Sequence, residues 1–254
     1  MKFMLKFIII FLFLASCASR EEVLYLQDAS QKAKGTINYQ ASFIQPNDIL
    51  KINIYSSNPL STIPYNRGLS QGTMQSNDIE TMKIDGYIVD FNYSINFPVL
   101  GVIDTRNMTT LKLANHIKVK LIEGGHLTDP NVNVRLLNSK ITILGEVNKP
   151  GTYNFTEQNI TLLQALGYAG DLTINGKRDD VLIMREVNGI RRVTHIDLTS
   201  ADFMKGSYYL LKSNDVIIVN PNNPKVKSAG FIGNVGSLAT IVSLVLSVTI
   251  LLTR

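Results

Sequence analysis

The sequence predicts an α+β protein of two small domains followed by a C-terminal membrane helix. Three observations predict it. Short alternating strand patterns and a helix pattern run in the order strand, strand, helix, strand, which is the outline of a small α+β domain. A second unit opens at Lys140 with its own strands, a short helix and a hairpin signal. Residues 228–253 then carry no charged side chain, between Lys227 and Arg254. At 254 residues the chain can bury one substantial core or two modest ones.

The N-terminal segment reads as a secretion signal over residues 1–16. Lys2 and Lys6 give it a positive start, and residues 7–14 (FIIIFLFL) form an apolar run. About eight apolar residues suit a signal core rather than a membrane span. Leu14-Ala15-Ser16-Cys17 matches the bacterial lipobox, in which the Cys is acylated and becomes the mature N-terminus. Cys17 is the only cysteine in the chain, which favours this over a plain signal peptide or an uncleaved anchor. Acyl chains give roughly 0.8 kcal/mol per buried CH₂, so several together hold a protein firmly on a membrane. One cysteine also excludes an intrachain disulfide. Residues 17–42 are polar with little periodicity and are expected to form a lipidated tether without regular structure.

The first domain is expected over residues 43–138. Leu50, Ile52 and Ile54 alternate with Lys51 and Asn53, the pattern of a half-buried strand. Residues 56–82 are a long polar excursion rich in Ser, Asn, Gln, Pro and Gly. Asp85-Gly86 marks a turn before Tyr87-Ile88-Val89, and Phe97 to Ile103 reads as one strand interrupted at Gly101. Thr109 or Thr110 can cap a helix that carries Leu111, Ala114, Ile117 and Leu121 on one face and ends at Gly124-Gly125. After Asp129-Pro130, Val132, Val134 and Leu136 alternate into a closing strand.

The second unit, residues 139–221, reads as a β-grasp-like domain of about 80 residues. Ile141 and Ile143 lead into Gly145-Glu146-Val147, and Lys149-Pro150-Gly151 turns the chain toward Tyr153. Thr161 caps a short helix that ends at Gly170. Asn188-Gly189 joins two strand patterns and is the strongest short hairpin signal available. A last strand, Val216 to Val219, stops at Asn220-Pro221.

Residues 228–253 exceed the roughly 20 apolar residues a helix needs to span a bilayer. Within them Gly233, Gly236, Thr240, Ser243 and Ser247 recur at steps of three and four, a stripe of small and weakly polar groups. Such a stripe allows close helix packing in lipid, and it can equally face water inside a barrel of helices.

Catalysis finds little in this chain. His116, His126 and His195 fall on a helix, a loop and a strand, and no pair has zinc-ligand spacing. Gly124-Gly125-His126 is simplest as a helix stop, and Asp179-Asp180 as a solvated turn. Tyr208-Tyr209 could stack on sugar rings, although packing inside the domain is the simpler reading. No catalytic residues, metal ligands or cofactor are expected. The formal charge is +5, and Lys2 and Lys6 lie in the segment expected to be removed, leaving +3. No Lys/Arg run exceeds two residues, which argues against nucleic acid as a partner.

Several of these runs, in order, resemble the outer-membrane polysaccharide export (OPX) lipoprotein family. Pro46-Asn47-Asp48 before an alternating strand is similar to that family's Pro-Gly-Asp motif. Ile84-Asp85-Gly86 and Phe97-Pro98-Val99-Leu100-Gly101 resemble its Asp-x-x-Gly and Pro-x-x-Gly pattern. Asp129-Pro130-Asn131-Val132 follows the helix as it does there, and Gly145 to Tyr153 is similar to the opening of its soluble-ligand-binding β-grasp (SLBB) domain. Thr161 to Gly170 looks like that domain's helix. The resemblance runs over about residues 43–220. Asn47 and Asn214 stand where the family usually has Gly; Asn is the next-best residue for a left-handed backbone.

The resemblance implies a non-enzymatic lipoprotein of the outer membrane, acylated at Cys17, with its soluble domains in the periplasm. It implies a homo-oligomeric ring through which capsular or exopolysaccharide is exported, and an inner-membrane polysaccharide copolymerase as partner. Two other readings stay open at this point. One is a monomeric periplasmic lipoprotein that binds a glycan or small ligand; the other is a scaffold that ties the envelope layers together.

Overall fold

The structure, a computed structural model, describes residues 21, 23–32, 37, 39, 41–67, 79–187, 189–228 and 235–252. Two hydrophobic cores are present, one formed by residues between Ile44 and Leu127 and one by residues between Ile141 and Val219.

The first core is organised by strand β1 (Ile49–Tyr55), the centre of a three-stranded antiparallel sheet between β2 (Tyr87–Ile88) and β5 (Asn131–Leu136). Leu50, Ile52 and Ile54 are buried as the alternation requires, and they sit opposite Leu136, Val134 and Val132. β3 (Ser94–Phe97) and β4 (Gly101–Asp104) add a hairpin that contributes Ile95, Phe97 and Ile103. Helix Thr110–Glu123 covers the same core with Leu113, Ala114, Ile117 and Leu121. Its N-cap is Thr109, whose hydroxyl accepts from the Lys112 amide, and Gly125 leaves it at φ +67°. Each fully buried aliphatic side chain contributes about 1.5–3 kcal/mol against exposure, so this shared face fixes the helix on the sheet.

Two expectations change here. Phe97 to Ile103 is not one strand: Pro98-Val99-Leu100 turns the chain, Phe97 pairs with Gly101, and both Val99 (φ +66°) and Gly101 (φ +73°) are left-handed. The excursion over 56–82 is partly ordered. Residues Pro59–Tyr65 form a 3₁₀ helix capped by Asn58, and Ile79–Ile84 form a short α-helix, while residues 68–78 lie outside the described residues. Asn66 explains how the 3₁₀ turn is held. Its side chain accepts from the Ile54 amide and donates to the Ile54 carbonyl, both at 2.8 Å, and so satisfies the β1 backbone as a paired strand would.

The strands of the second domain are β6 (Lys140–Gly145), β7 (Gly151–Asn154), β8 (Ile160–Thr161), β9 (Gly176–Val187), β10 (Ile190–Ile196), β11 (Leu210–Leu211) and β12 (Val216–Pro221). Its core lies in a five-stranded mixed sheet of order β10-β9-β12-β6-β7, with β8 and β11 paired separately. β12 runs parallel to β6 and antiparallel to β9. Helix Leu162–Tyr168 packs Leu162, Ala165 and Leu166 into this core, as expected for a grasp around one helix. Thr161 and Gln164 close it with a reciprocal capping box. β9 and β10 pair from Val187–Ile190 to Val181–Ile196; Gly189 takes φ +75°, while Asn188 lies outside the described residues. At Gly145 (φ +91°) an added Cβ would lie 2.0 Å from the Val219 carbonyl oxygen, so only glycine allows β6 to meet β12 there. Asn47 and Asn214 have φ +68° and +69°, the left-handed turns that the substitution of Gly by Asn tolerates.

The membrane helix expected over residues 228–253 is not found as such: among the described residues no helix is long and apolar enough to cross a membrane. Within that run the structure describes Ser228, in helix Asn223–Ser228, and the 18-residue apolar helix Val235–Leu252, while residues 229–234 and 253 lie outside the described residues.

Candidate functional site

The arrangement that bears on function lies at one end of the second domain, and its first component is the segment expected to be a structureless tether. Residues 25–32 instead form a strap on that domain. Leu26 and Gln27 donate their amides to the carbonyls of Leu198 (3.1 Å) and Thr199 (2.7 Å). Asp28 then accepts from the Ala201 amide (2.6 Å) and the Ser200 hydroxyl (2.8 Å), and Lys32, in the short helix Ala29–Lys32, pairs with both Asp28 and Asp202. The Ala201 amide, Lys32 and Ser200 hold the Asp28 carboxyl well below the usual carboxylate range.

Tyr25 carries the strap into the core edge. Its ring packs against the second core, and its hydroxyl donates to the Asp171 carboxylate. The buried Arg178 guanidinium lies 5.2 Å from the ring centroid. The same guanidinium donates to the carbonyls of Thr173 (3.3 Å) and Gly176 (3.1 Å). Burial, and then the bond to Asp171, push the Tyr25 phenol well above its ordinary value, so it remains a neutral donor.

The loop between Gly170 and Gly176 is therefore tied to the N-terminal strap, and it is tied to the C-terminal exit as well. Gly170 and Asp171 both take φ +71°, which turns the chain sharply after the helix. Pro221 pairs with Gly176, the Asn222 amide donates to the Asn175 carbonyl (2.7 Å), and the Asn222 side chain donates to the Ile174 carbonyl (3.4 Å). Helix Asn223–Ser228, with Lys225 and Lys227, starts from this point.

Of the residues singled out in the sequence, Cys17 and Gly233 lie outside the described residues. Gly236, Thr240, Ser243 and Ser247 lie exposed on helix Val235–Leu252. The hydroxyls of Thr240, Ser243 and Ser247 donate to the carbonyls of Gly236, Thr240 and Ser243 at 2.8–2.9 Å, so the stripe satisfies its own polar groups and presents only small surfaces.

The histidines are dispersed. His116 sits on helix Thr110–Glu123, His126 meets the Tyr65 ring edge-on at 6.0 Å, and His195 pairs with Asp180 across β9 and β10. Among the described residues no group of three or more His, Cys, Asp or Glu is placed to hold a metal ion. Asp180 is therefore in a strand and paired to His195 and Lys177, not in a solvated turn. Tyr208 lies under the Arg185 guanidinium at 4.5 Å and Tyr209 packs beside Phe203, so the pair belongs to the domain's packing. Arg185 itself is buried against Asp215 in a two-point ion pair at 2.8 and 2.6 Å.

The residues that build this end, Tyr25, Asp28, Asp171 and Arg178, were not marked by the sequence. The signal available was the apolar run Val23-Leu24-Tyr25-Leu26 within a polar segment.

Comparison with known proteins agrees with this two-domain layout. Residues 37–137 match the family described as polysaccharide biosynthesis/export protein, and residues 139–219 match the SLBB domain. Among curated proteins, the chain is 27% identical over 145 residues to the EPS I polysaccharide export outer membrane protein EpsA of Ralstonia solanacearum, covering 56% of this chain and 37% of that protein. It is 29% identical over 106 residues to the protein of the same name in Ralstonia nicotianae, covering 40% of this chain and 27% of that protein. The chain thus matches about a third of the length of these relatives. With these two matches in succession over most of its length, the chain belongs to the outer-membrane polysaccharide-export family.

Proposed function

We propose that this chain is a lipid-anchored outer-membrane protein that assembles into a homo-oligomeric ring and conducts capsular or exopolysaccharide out of the cell. The observation that carries the reading is the ordered pair of export and SLBB domains, together with the similarity to relatives named as polysaccharide export outer membrane proteins. The family is one of export proteins and not of enzymes.

In this reading residues 1–16 are a signal peptide and Cys17 is the acylated residue. The soluble domains stand in the periplasm. The step from position 17 to position 25 limits the reach from Cys17 to Tyr25 to about 29 Å. An acylated Cys17 therefore keeps the second domain close to the leaflet that holds the acyl chains. Helix Val235–Leu252 supplies the membrane-embedded part of the assembly. Copies pack there along Gly233, Gly236, Thr240, Ser243 and Ser247, or turn that stripe to a central lumen. Helices closed into a bundle keep every backbone polar group satisfied in lipid. An inner-membrane polysaccharide copolymerase hands the growing chain to the ring.

The test is deletion of the gene in its own bacterium, followed by measurement of cell-surface and released polysaccharide. The reading predicts loss of surface polysaccharide, rescued by the full chain but not by a chain truncated after Ser228 or by Cys17→Ala. Unchanged surface polysaccharide in the deletion strain would contradict it.

A further inference from the structure

The five-stranded sheet of the second domain is open at both ends. β10 and β7 are its outermost strands, and among the described residues each pairs with one neighbour only. β10 pairs with β9 over all seven of its residues without a bulge, from Ile190–Val187 to Ile196–Val181. Its Arg191, Arg192, Val193 and His195 are exposed, as are Thr152 and Asn154 on β7. A long, regular, exposed edge strand is a template for a further strand unless a proline, a bulge or a covering segment blunts it.

The pairing states which backbone groups face each open edge. The Phe155 amide donates to the Ser139 carbonyl at 3.1 Å, so β6 and β7 bond through residues 139, 141 and 143 with 155, 153 and 151. The amides and carbonyls of Thr152 and Asn154 therefore point outward. On the other side, the Asp215 and Val219 carbonyls accept from the Thr142 and Glu146 amides of the β6 segment. Val216 and Ile218 then face β9, opposite Met184 and Leu182. The same alternation, carried across β9, leaves Arg191, Val193 and His195 of β10 facing outward.

These two edges suit each other. β10 is antiparallel to β9, β9 to β12 and β6 to β7, while β12 is parallel to β6, so β10 and β7 run in opposite directions. A second copy in the same orientation brings its β7 antiparallel to β10. The registers place Val193, Met184, Val216, Thr142 and Thr152 in one row across the sheet, partly exposed throughout. That row continues unbroken when Thr152 of one copy meets Val193 of the next. Charge favours this partner over a second β10, which would bring Arg191 and Arg192 of both copies onto one seam; β7 carries no charged side chain.

We propose that β10 of one copy pairs with β7 of the next, so that the SLBB sheet continues from protomer to protomer. A contact between two different edges is heterologous, the kind that closes into a ring. This rests on the reading of the chain as a ring-forming export protein, and it names the seam of that ring.

The experiment uses the full acylated chain in mild detergent, carrying Thr152→Cys and Val193→Cys together. Cys17 is the only native cysteine, and acylation consumes its thiol. A bismaleimide reaching about 8 Å spans directly opposite and diagonal side chains of two paired strands. Within one chain the two positions lie on opposite edges of the sheet. Four strand spacings separate them, about 19 Å, so no link forms inside a protomer. The double variant is expected to give a ladder of dimer, trimer and higher covalent species, and either single variant monomer alone. Dimers from Val193→Cys alone overturn the seam in favour of β10 against β10. A particle of ring mass with no cross-link overturns the seam and leaves the ring standing. A monodisperse monomer with no cross-link overturns both.

Discussion

Tyr25 and Asp171, 146 positions apart in sequence, are joined by a hydrogen bond from phenol to carboxylate, so the segment around Tyr25 is part of the fold of the second domain. Because Arg178 stacks on the same ring, the strap is held by both a polar and a cation–π contact. Tyr25→Phe removes only the hydrogen bond and is expected to cost about 0.5–1.5 kcal/mol. Tyr25→Ala also removes the ring and is expected to cost more, about 2 kcal/mol or above. Thermal unfolding of the full chain measures both, and limited proteolysis between residues 25 and 44 should accelerate only in the alanine variant. Equal, negligible effects would mean the strap is not docked.

The buried pair Arg185–Asp215 gives the second prediction. Arg185 also donates to the carbonyls of Ser207 (3.1 Å) and Leu210 (3.0 Å), and Asp215 accepts the Lys212 amide (2.8 Å), so the pair fixes the segment before β12. Asp215→Ala leaves an uncompensated buried guanidinium and is expected to cost about 3–5 kcal/mol in urea denaturation. Arg185→Met combined with Asp215→Leu should recover part of that loss. A double variant as unstable as the single one would show that the charges contribute more than their mutual compensation.

Asp48 sets a pH dependence. Burial pushes its carboxyl up to about 6, only partly opposed by the bond it accepts from the Gln45 amide at 2.8 Å. A carboxyl with a raised native pKa binds its proton more readily folded than unfolded. Its contribution is therefore complete below about pH 4 and is lost as pH rises through about 6, a difference on the order of 2–3 kcal/mol. Asp48→Asn should abolish this component, so the stability difference between wild type and Asp48→Asn should change across pH 4–7. A difference that stays constant with pH would contradict the assignment.

Glycines separate conformation from space. Gly189 (φ +75°) has nothing within 4 Å of an added Cβ, whereas Gly145 (φ +91°) faces the Val219 carbonyl. Gly189→Ala is expected to cost about 1–2 kcal/mol, the left-handed penalty alone. Gly145→Ala must also part β6 from β12 and should prevent folding or cost several kcal/mol more. Soluble yield and denaturant midpoints compare the two; similar midpoints would contradict the close approach.

What could be read from the sequence was local. The alternation of Leu50, Ile52 and Ile54 states which face of β1 is buried, and Thr161 with Gln164 carries its capping box within four residues. Asn47 and Asn214 mark left-handed turns by residue type. The strap was not legible because its partners, Asp171, Arg178 and Leu198 to Asp202, lie far along the chain and no periodicity records them. The 3₁₀ turn was missed because Asn66 substitutes a side chain for a paired strand, a tertiary event in a segment of loop composition. At the C-terminus, a charge-free run states composition but not the bounds of its helices, of which Asn223–Ser228 and Val235–Leu252 are described. Of the candidate site, Gly170 as the stop after helix Leu162–Tyr168 follows from residue type, but the strand expected to end at Asn220-Pro221 runs through Pro221, and its convergence with Tyr25 is not recorded in the sequence.

The most direct test of the account is the mass and electron-microscope outline of the mature, acylated chain extracted in mild detergent. The account predicts a closed ring of several copies, whose membrane-embedded part disappears when residues 228–254 are deleted. A monodisperse monomer, unchanged at high protein concentration, would contradict the ring and favour a monomeric periplasmic lipoprotein that binds a glycan.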